Sequence, residues 1–413
     1  MEAQHVLQYI WSDLTFDFSV IASQFTSHHD FNADQLHAHF WQVIEGLEKC
    51  GLSTSLVVCD GCTTNLSFVA RNTGRRLDPS FNQPLVNSFC YNRFSDRSLY
   101  FMVDPPHLCK SVRNWMESSH ANGNRSKLFE TESGRIVWDD ILSCYAWGEA
   151  NRYSGIRNPS FLTADAVKFS SSWGKMNVAL ARKVNSLRIF ALLTKLRLNG
   201  SCNVSKGSIQ FIFVFASLFE FFFFKKNLKI WSMDSLAPHW GHLIRALMYI
   251  RNWSEFKIKN TKPDNSFLSP ISVSGIMLTL ETLILFCFDF FKRNESANRR
   301  TKFILPFRLH QNLIEALFAG IKRVGDSGKQ TVHQLPRATA GFSYKRVELG
   351  SRRSNISGQS VGQKGLFGPR TKAHQIHDRL IEKKSPTTIL KCENQRKTQF
   401  KPGNRGRAQF KAP

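Results

Sequence analysis

Two short apolar runs in the first quarter of the chain each stop at an aspartate. Thr54–Cys59 (TSLVVC) runs into Asp60-Gly61, and Ser98–Val103 (SLYFMV) runs into Asp104-Pro105-Pro106. Apolar runs of this length without polar alternation read as strands covered on both faces. Asp-Gly and Asp-Pro-Pro are turn chemistry, so both strands end at a fixed place. Two strands that stop alike predict a sheet with polar chemistry along its carboxyl edge. Before them lies Ala33–Cys50, whose Leu36, Phe40, Val43, Ile44 and Leu47 fall at helical spacing. His5–Trp11 (HVLQYIW) reads as a further strand, and residues 1–118 are therefore expected to be α/β.

Residues 119–300 read as mainly helical. Lys175–Leu198 predicts one helix with Leu180, Val184, Leu187, Ala191 and Leu198 down one side, and its charges are basic only. Trp240–Trp253 and the strongly apolar Ile271–Phe291 predict two more helices. In 301–344 a helix is expected to return to the α/β part, with Leu309, Leu313, Leu317 and Ile321 as its buried stripe. Gln311, Asn312, Glu315 and Lys322 then occupy the other side.

Charge narrows the partner class. Fifty-six Lys and Arg against 31 Asp and Glu give a net +25 in 413 residues, which points to a polyanion, either nucleic acid or an anionic membrane surface. Residues 345–413 hold 17 basic and 4 acidic residues with three aromatics, too little apolar surface to offset ordering, and predict a disordered basic tail. The body is basic without it, and a 42% apolar composition excludes wholesale disorder. Nine scattered cysteines without framework spacing predict a reducing, intracellular compartment.

Phenylalanine is concentrated at 211–224, inside Gly207–Asn227 (GSIQFIFVFASLFEFFFFKKN). Three readings stand side by side. A membrane span is one, although the 16-residue run Ile209–Phe224 contains Gln210 and Glu220 and falls short of the roughly 20 residues a bilayer needs. A core helix, apolar all round, is the second. Translated intron is the third, because T-rich DNA encodes phenylalanine.

Three segments carry chemistry. Asp60, at a strand end before a glycine turn, offers oxygen to a divalent cation such as Mg²⁺ or Mn²⁺. Cys59-x-x-Cys62 lacks a second ligand pair for zinc, so the cysteines read as structural. Lys110 and Arg113, three apart on a helix expected to start near His107, share a face that can grip phosphate. Glu315 stands beside amides on a helix face from which it can reach a strand-held metal. Taken singly, each has an ordinary explanation: a turn aspartate, a solvated basic face, a surface glutamate.

Together, LVVCDGCTTNLSF (56–68), LYFMVDPPHLCKSVRNWM (99–116), SSWGKMNVALARKVNSL (171–187) and FILPFRLHQNLIEALFAGIKRVGDSG (303–328) resemble the P element transposases and their THAP-domain-bearing relatives, in the family's order over about residues 5–340. The Asp-Pro-Pro-His-Leu-x-Lys-x-x-Arg-Asn segment is the most distinctive. The resemblance implies an α/β + α architecture, in which a partial RNase H-like fold is interrupted by a mainly helical, GTP-binding-type insertion. It also implies two divalent metals, Mg²⁺ or Mn²⁺, that activate water or a 3′-hydroxyl against a DNA phosphodiester. Carried over by motif, Asp60 is the second metal-binding aspartate, Glu315 the closing glutamate and Asp104 a supporting ligand. DNA at transposon ends, GTP, a homo-oligomer and a nuclear location follow from the resemblance; a membrane does not.

Departures from the family pattern shape the expectation. Its first catalytic aspartate belongs on an earlier strand that nothing between Met1 and Asp60 matches, and its amino-terminal zinc finger is unmatched too. The family's Gln-Asp-x-x-Glu reads Gln311-Asn312-Leu313-Ile314-Glu315 here, one negative charge fewer, and Lys329-Gln330-Thr331-Val332 replaces the usual Asn-Pro-Thr. No Walker-type loop occurs. The expectation is a transposase fragment, truncated at the amino end, that binds nucleic acid and GTP without cutting DNA. One alternative is an active transposase whose first part lies outside this sequence. Another is a basic membrane-associated protein anchored at 209–224 and 271–291. Against it, Glu281 and Asp289 interrupt the second run, at about 2.5–3.5 kcal/mol per charge near a bilayer centre.

Overall fold

In the computed structural model the described residues are 5–14, 19–74, 88–120, 127–152, 159–168, 172–223, 230, 232–296, 303–311, 314, 315 and 318. The expected tail at 345–413, and Asn312, Leu313, Leu317, Ile321 and Lys322 of the expected returning helix, lie outside them.

β1 (His5–Ser12) pairs antiparallel with β2 (Ser19–Ser27), with a bulge at Tyr9/Ile10. α1 (Ala33–Lys49) starts on a capping box in which Asn32 and Gln35 satisfy each other's backbone N–H. It buries Leu36, Phe40, Val43 and Ile44 as its spacing predicts. β3 (Leu56–Cys59), α2 (Thr63–Thr73), β4 (Phe89–Tyr91), β5 (Ser98–Val103) and α3 (Pro105–Glu117) follow. β5 is the central strand of a three-stranded sheet, parallel to β3 and antiparallel to β4. Leu99–Val103 are all buried, as an unbroken apolar run demands. β2 and β4 were not expected. SVIASQFTS alternates weakly and FCY is three residues long, so both take their strand form from a partner rather than from pattern.

Among the described residues there follow a short hairpin, β6 (Glu130–Thr131) with β7 (Gly134–Arg135), eight α-helices, α4 (Asp139–Ala150), α5 (Ala164–Val167), α6 (Ser172–Met176), α7 (Val178–Val184), α8 (Leu187–Leu198), α9 (Lys206–Phe223), α10 (Met233–Lys259) and α11 (Pro270–Ser296), and two 3-10 turns at Asp264–Ser266 and Pro306–Arg308. The single helix expected over 175–198 is broken into pieces. The Asn177 side chain accepts from Leu180 N at 3.1 Å, and Ser186 Oγ accepts from Ile189 N at 3.4 Å, so each starts a new helix. The break resets the phase. α7 buries Leu180 and Val184, but α8 buries Ile189, Leu193 and Leu196 and leaves Leu187, Ala191 and Leu198 outside.

The Phe-rich stretch forms α9, packed against α8 and α10 with Phe211, Phe215, Phe219 and Phe222 all buried. At its start Gly207 lies against the β6–β7 hairpin so closely that a Cβ there would overlap the carbonyls of Gly134 and Arg135. α9 and the stretch Asp264–Asn294 are long and apolar enough to cross a membrane, yet 72% of each window is buried inside the protein. In this structure α9 takes the place of a core helix, with other helices rather than lipid against its rings.

Helices cover both faces of the sheet. On one, Phe40 of α1 and Phe68 of α2 lie 5.8 and 5.9 Å from Phe101. On the other, Phe286 of α11 lies 5.7 Å from Tyr100, and along the edge of β5 that β4 leaves uncovered the same helix is fastened by hydroxyls: Val103 N donates to Thr279 Oγ1 at 3.0 Å, and Thr282 Oγ1 donates to Phe101 O. Each hydroxyl satisfies a buried polar group that an apolar helix would strand.

Candidate metal centre at the sheet edge

β3 and β5 run parallel in register, Cys59 beside Val103, so Asp60 and Asp104 leave the sheet side by side. Asp104 N donates to Cys59 O at 2.8 Å, and Gly61 lies so near Val103 that a Cβ would meet its Cγ1 at 3.2 Å. The carboxyl edge read from the sequence is therefore real. The two aspartates behave differently on it.

Asp104 is fully buried and caps α3. Pro105 and Pro106 occupy the first two helical positions, where a missing N–H costs nothing. The first N–H to cap is then that of His107, at 3.1 Å from Asp104 Oδ2, and the His107 ring follows, its Nδ1 also 3.1 Å from Oδ2. The helix starts at Pro105, two residues before the position expected. Asp104 Oδ1 accepts from Gln311 N at 2.7 Å, and Gln311 Nε2 donates to Val58 O at 3.1 Å. One residue thus ties the turn that carries Glu315 to both strands, and Glu315 N donates back to Gln311 O at 3.2 Å.

Asp60 turns onto its own loop. Its Oδ1 accepts from Cys62 N at 3.0 Å and from Asn65 Nδ2 at 2.7 Å. Burial pushes its carboxyl up, but the Cys62 and Asn65 hydrogen bonds and the nearby His107 outweigh burial and hold it below the usual carboxylate range. Glu315 goes the other way. Burial raises it, the charges of Asp104 and Asp60 add to the rise, and Lys110 and His107 offset part of it. His310, next in chain to Gln311, is held down to about 4 by burial in spite of the Asp104 charge.

Asp104, His107 and Glu315 each offer a ligand atom within 4.8 Å of the others, the one such trio of acidic, His or Cys groups among the described residues. Asp60 stands outside that trio, although its charge reaches Glu315. Two carboxylates and an imidazole suit a divalent cation, with the imidazole favouring a transition metal such as Mn²⁺ over Mg²⁺. A His held through Nδ1 by a carboxylate is also the usual posture of a metal-bound His. Converging carboxylates repel one another, and a cation relieves that repulsion as a proton does.

The other two residues singled out in the sequence, Lys110 and Arg113, are both buried. Arg113 does not grip phosphate from an open face. It is fully buried, donating through Nη2 to Gly174 O at 2.9 Å and Lys175 O at 2.6 Å, so it fastens α3 to α6. Lys110 is buried as well and acts on Glu315 rather than on solvent. His107, His310 and Gln311 were not singled out in the sequence as site residues. The Asp-Pro-Pro-His spacing was a usable signal for His107, since two prolines after a capping aspartate leave the third residue as the first donor.

No protein-family model and no curated protein matches the chain. Among solved structures it is similar to the Drosophila P element transposase strand transfer complex, with a TM-score of 0.60 at 16% identity over 82% of this chain and 69% of that one. At that identity the likeness is one of fold, a mixed α/β architecture rich in helix.

Proposed function

We propose that this chain is a transposase-like protein with a partial RNase H-like core, which binds DNA and holds a divalent cation at the carboxyl edge of β3 and β5. The carrying observation is the convergence of Asp104, His107 and Glu315 where two parallel strands end together. The net charge of +25 and the fold likeness to a transposase complex support DNA as the partner. Bound there, a cation supplies charge neutralisation for a phosphate brought to the edge.

Binding is favoured over cutting. Two-metal phosphodiester chemistry needs two cations about 3.5–4 Å apart. The trio supplies donors for one, and Asp60 lies outside it. Glu315 and Asp104 would hold the ion, His107 would complete the set, and Lys110 would balance the charge of Glu315. GTP binding, a homo-oligomer and a nuclear location belong to the same proposal, and for GTP no contact residue is assigned.

The test uses the full chain with Mn²⁺ and DNA carrying terminal inverted repeats. Retention of DNA that weakens steeply as salt rises, with no nicking, is the expected outcome. Robust nicking that Asp60→Ala abolishes would overturn it in favour of an active two-metal transposase.

A further inference from the structure

α8 is apolar on two opposite sides. Ile189, Leu193 and Leu196 are buried where the helix packs on α4 and α9. On the other side Leu187 and Leu198 are 36% and 78% exposed, and Ala191 is exposed between them. A helix that is apolar all round is ordinarily covered all round. Capping explains the opening. Ser186 starts α8 afresh, and the stripe that would have continued the buried side of α7 is turned to solvent.

The outward face has the spacing of a helix-pairing seam. Leu187, Ala191, Thr194 and Leu198 follow at intervals of four, three and four residues, the alternation of a and d positions in a coiled coil. At 1.5 Å per residue the seam runs about 16 Å along the helix. Thr194 Oγ1 donates to Phe190 O at 2.9 Å, so its methyl group is what remains for a neighbour. Two small residues between two leucines leave a shallow dip at the centre. Phe161 stands at the Leu187 end, 41% exposed at a φ of 62°, with the Arg188 guanidinium 4.7 Å over its ring. A bulky side chain in the left-handed region is strained, and such strain gathers where a surface is shaped for contact.

Charge says what belongs on the seam. Arg188 and Lys195 sit seven residues apart on one flank, both exposed, and Arg197 lies on the other. From Ala166 to Phe219 the chain holds eight Lys or Arg and no Asp or Glu. Flanking charges of this kind choose the partner of a paired helix. A second copy of α8 would set basic flanks against basic flanks, and the tail at 345–413, with 17 basic and 4 acidic residues, fits no better. A nucleic-acid backbone would leave the leucines in water. We propose that the outward face of α8 docks an acidic amphipathic helix of another protein. Its large apolar side chains sit between Leu187 and Leu198, and its Glu or Asp residues lie beside Arg188 and Lys195. This inference stands apart from the cation site and does not depend on DNA binding.

The test is fluorescence anisotropy of the full chain with a fluorescein-labelled peptide of three heptads, each Leu-Ala-Ala-Leu-Glu-Gln-Glu, and with the same peptide carrying lysine for glutamate. The acidic peptide is expected to bind, and the basic one about tenfold more weakly. Because the whole chain is basic, the place of binding is decided by Leu187→Ser with Leu198→Ser, which leaves every charge as it was. Both leucines face solvent, so the melting temperature should hold while acidic-peptide binding falls about tenfold. Arg188→Glu with Lys195→Glu should weaken the acidic peptide and strengthen the basic one. Unchanged binding in the leucine variant would overturn the proposal and leave attraction by net charge alone. Equal binding of the two peptides, no binding of either, or a charge variant that moves neither affinity would overturn it too.

Discussion

β3 and β5 reach the same edge and hand over to a helix in the same way, each through an aspartate, yet Asp60 and Asp104 have opposite fates. Gly61 lets Asp60 fold back on the next turn, where it meets Cys62 N and Asn65 Nδ2 and remains half-buried. Pro105 and Pro106 deny Asp104 any early donor. It reaches His107 with one oxygen and leaves the other for Gln311, more than 200 residues along the chain. Two residues of flanking sequence thus decide whether a strand-ending carboxylate serves its own loop or gathers a site.

The largest effect expected from this difference is on folding. Asp104→Ala removes a helix cap, worth about 1 kcal/mol, and strands the N–H of Gln311 and the ring of His107, at about 1–3 kcal/mol more. Asp60→Ala should cost about 1 kcal/mol, since solvent can replace its partners at a half-buried turn. Denaturant titration of both variants checks this, and equal losses would break the contrast. Next comes the cation. Glu315→Gln should weaken Mn²⁺ binding in calorimetry by more than the roughly 10–100-fold that loss of an outer-shell partner costs, whereas Asp60→Asn should change it far less. An equal loss would make Asp60 a ligand too.

A smaller contrast lies along the pH axis. His310 is held down to about 4 from an ordinary 6.5, so between those values the unfolded chain binds a proton that the folded chain refuses. Stability should therefore fall as pH drops across that window, and His310→Gln should flatten it. Glu315, raised by burial, contributes in the opposite direction, so the comparison belongs in the Glu315→Gln background. Asp60, held low, loses its contribution only as pH falls below the unfolded carboxylate value of 3.8. The smallest change is along the edge of β5, where Thr282→Val should cost about 1 kcal/mol for one lost hydroxyl bond. Loss of Mn²⁺ affinity in that variant would mean that α11 helps to set the position of Asp104.

What was legible in the sequence was local. Apolar runs stopped by turn residues gave β3 and β5, helical spacing gave α1, and the place of Asp60 and Asp104 at one edge followed from both. What was not legible depended on partners distant in sequence. Lys110 and Arg113 do share a face of α3, but whether that face meets solvent depended on the carbonyls of Gly174 and Lys175 and on Glu315. The single helix expected at 175–198 failed at Asn177 and Ser186, polar residues whose capping bonds compete with continuation. The phenylalanines of α9 had no readable face because other helices surround them. His310 and Gln311 join the site through one buried carboxylate, a contact that spacing does not encode.

Asp104 ends a strand, begins a helix and holds the turn of Glu315, all with one side chain. Natural variation at such a position cannot adjust one trait at a time: any change that retunes the site also changes how much folded protein a cell retains. Asp60 carries no such double duty. Lineages of this protein that drift in sequence should therefore show their first differences around Asp60, while Asp104 persists because the fold itself depends on it.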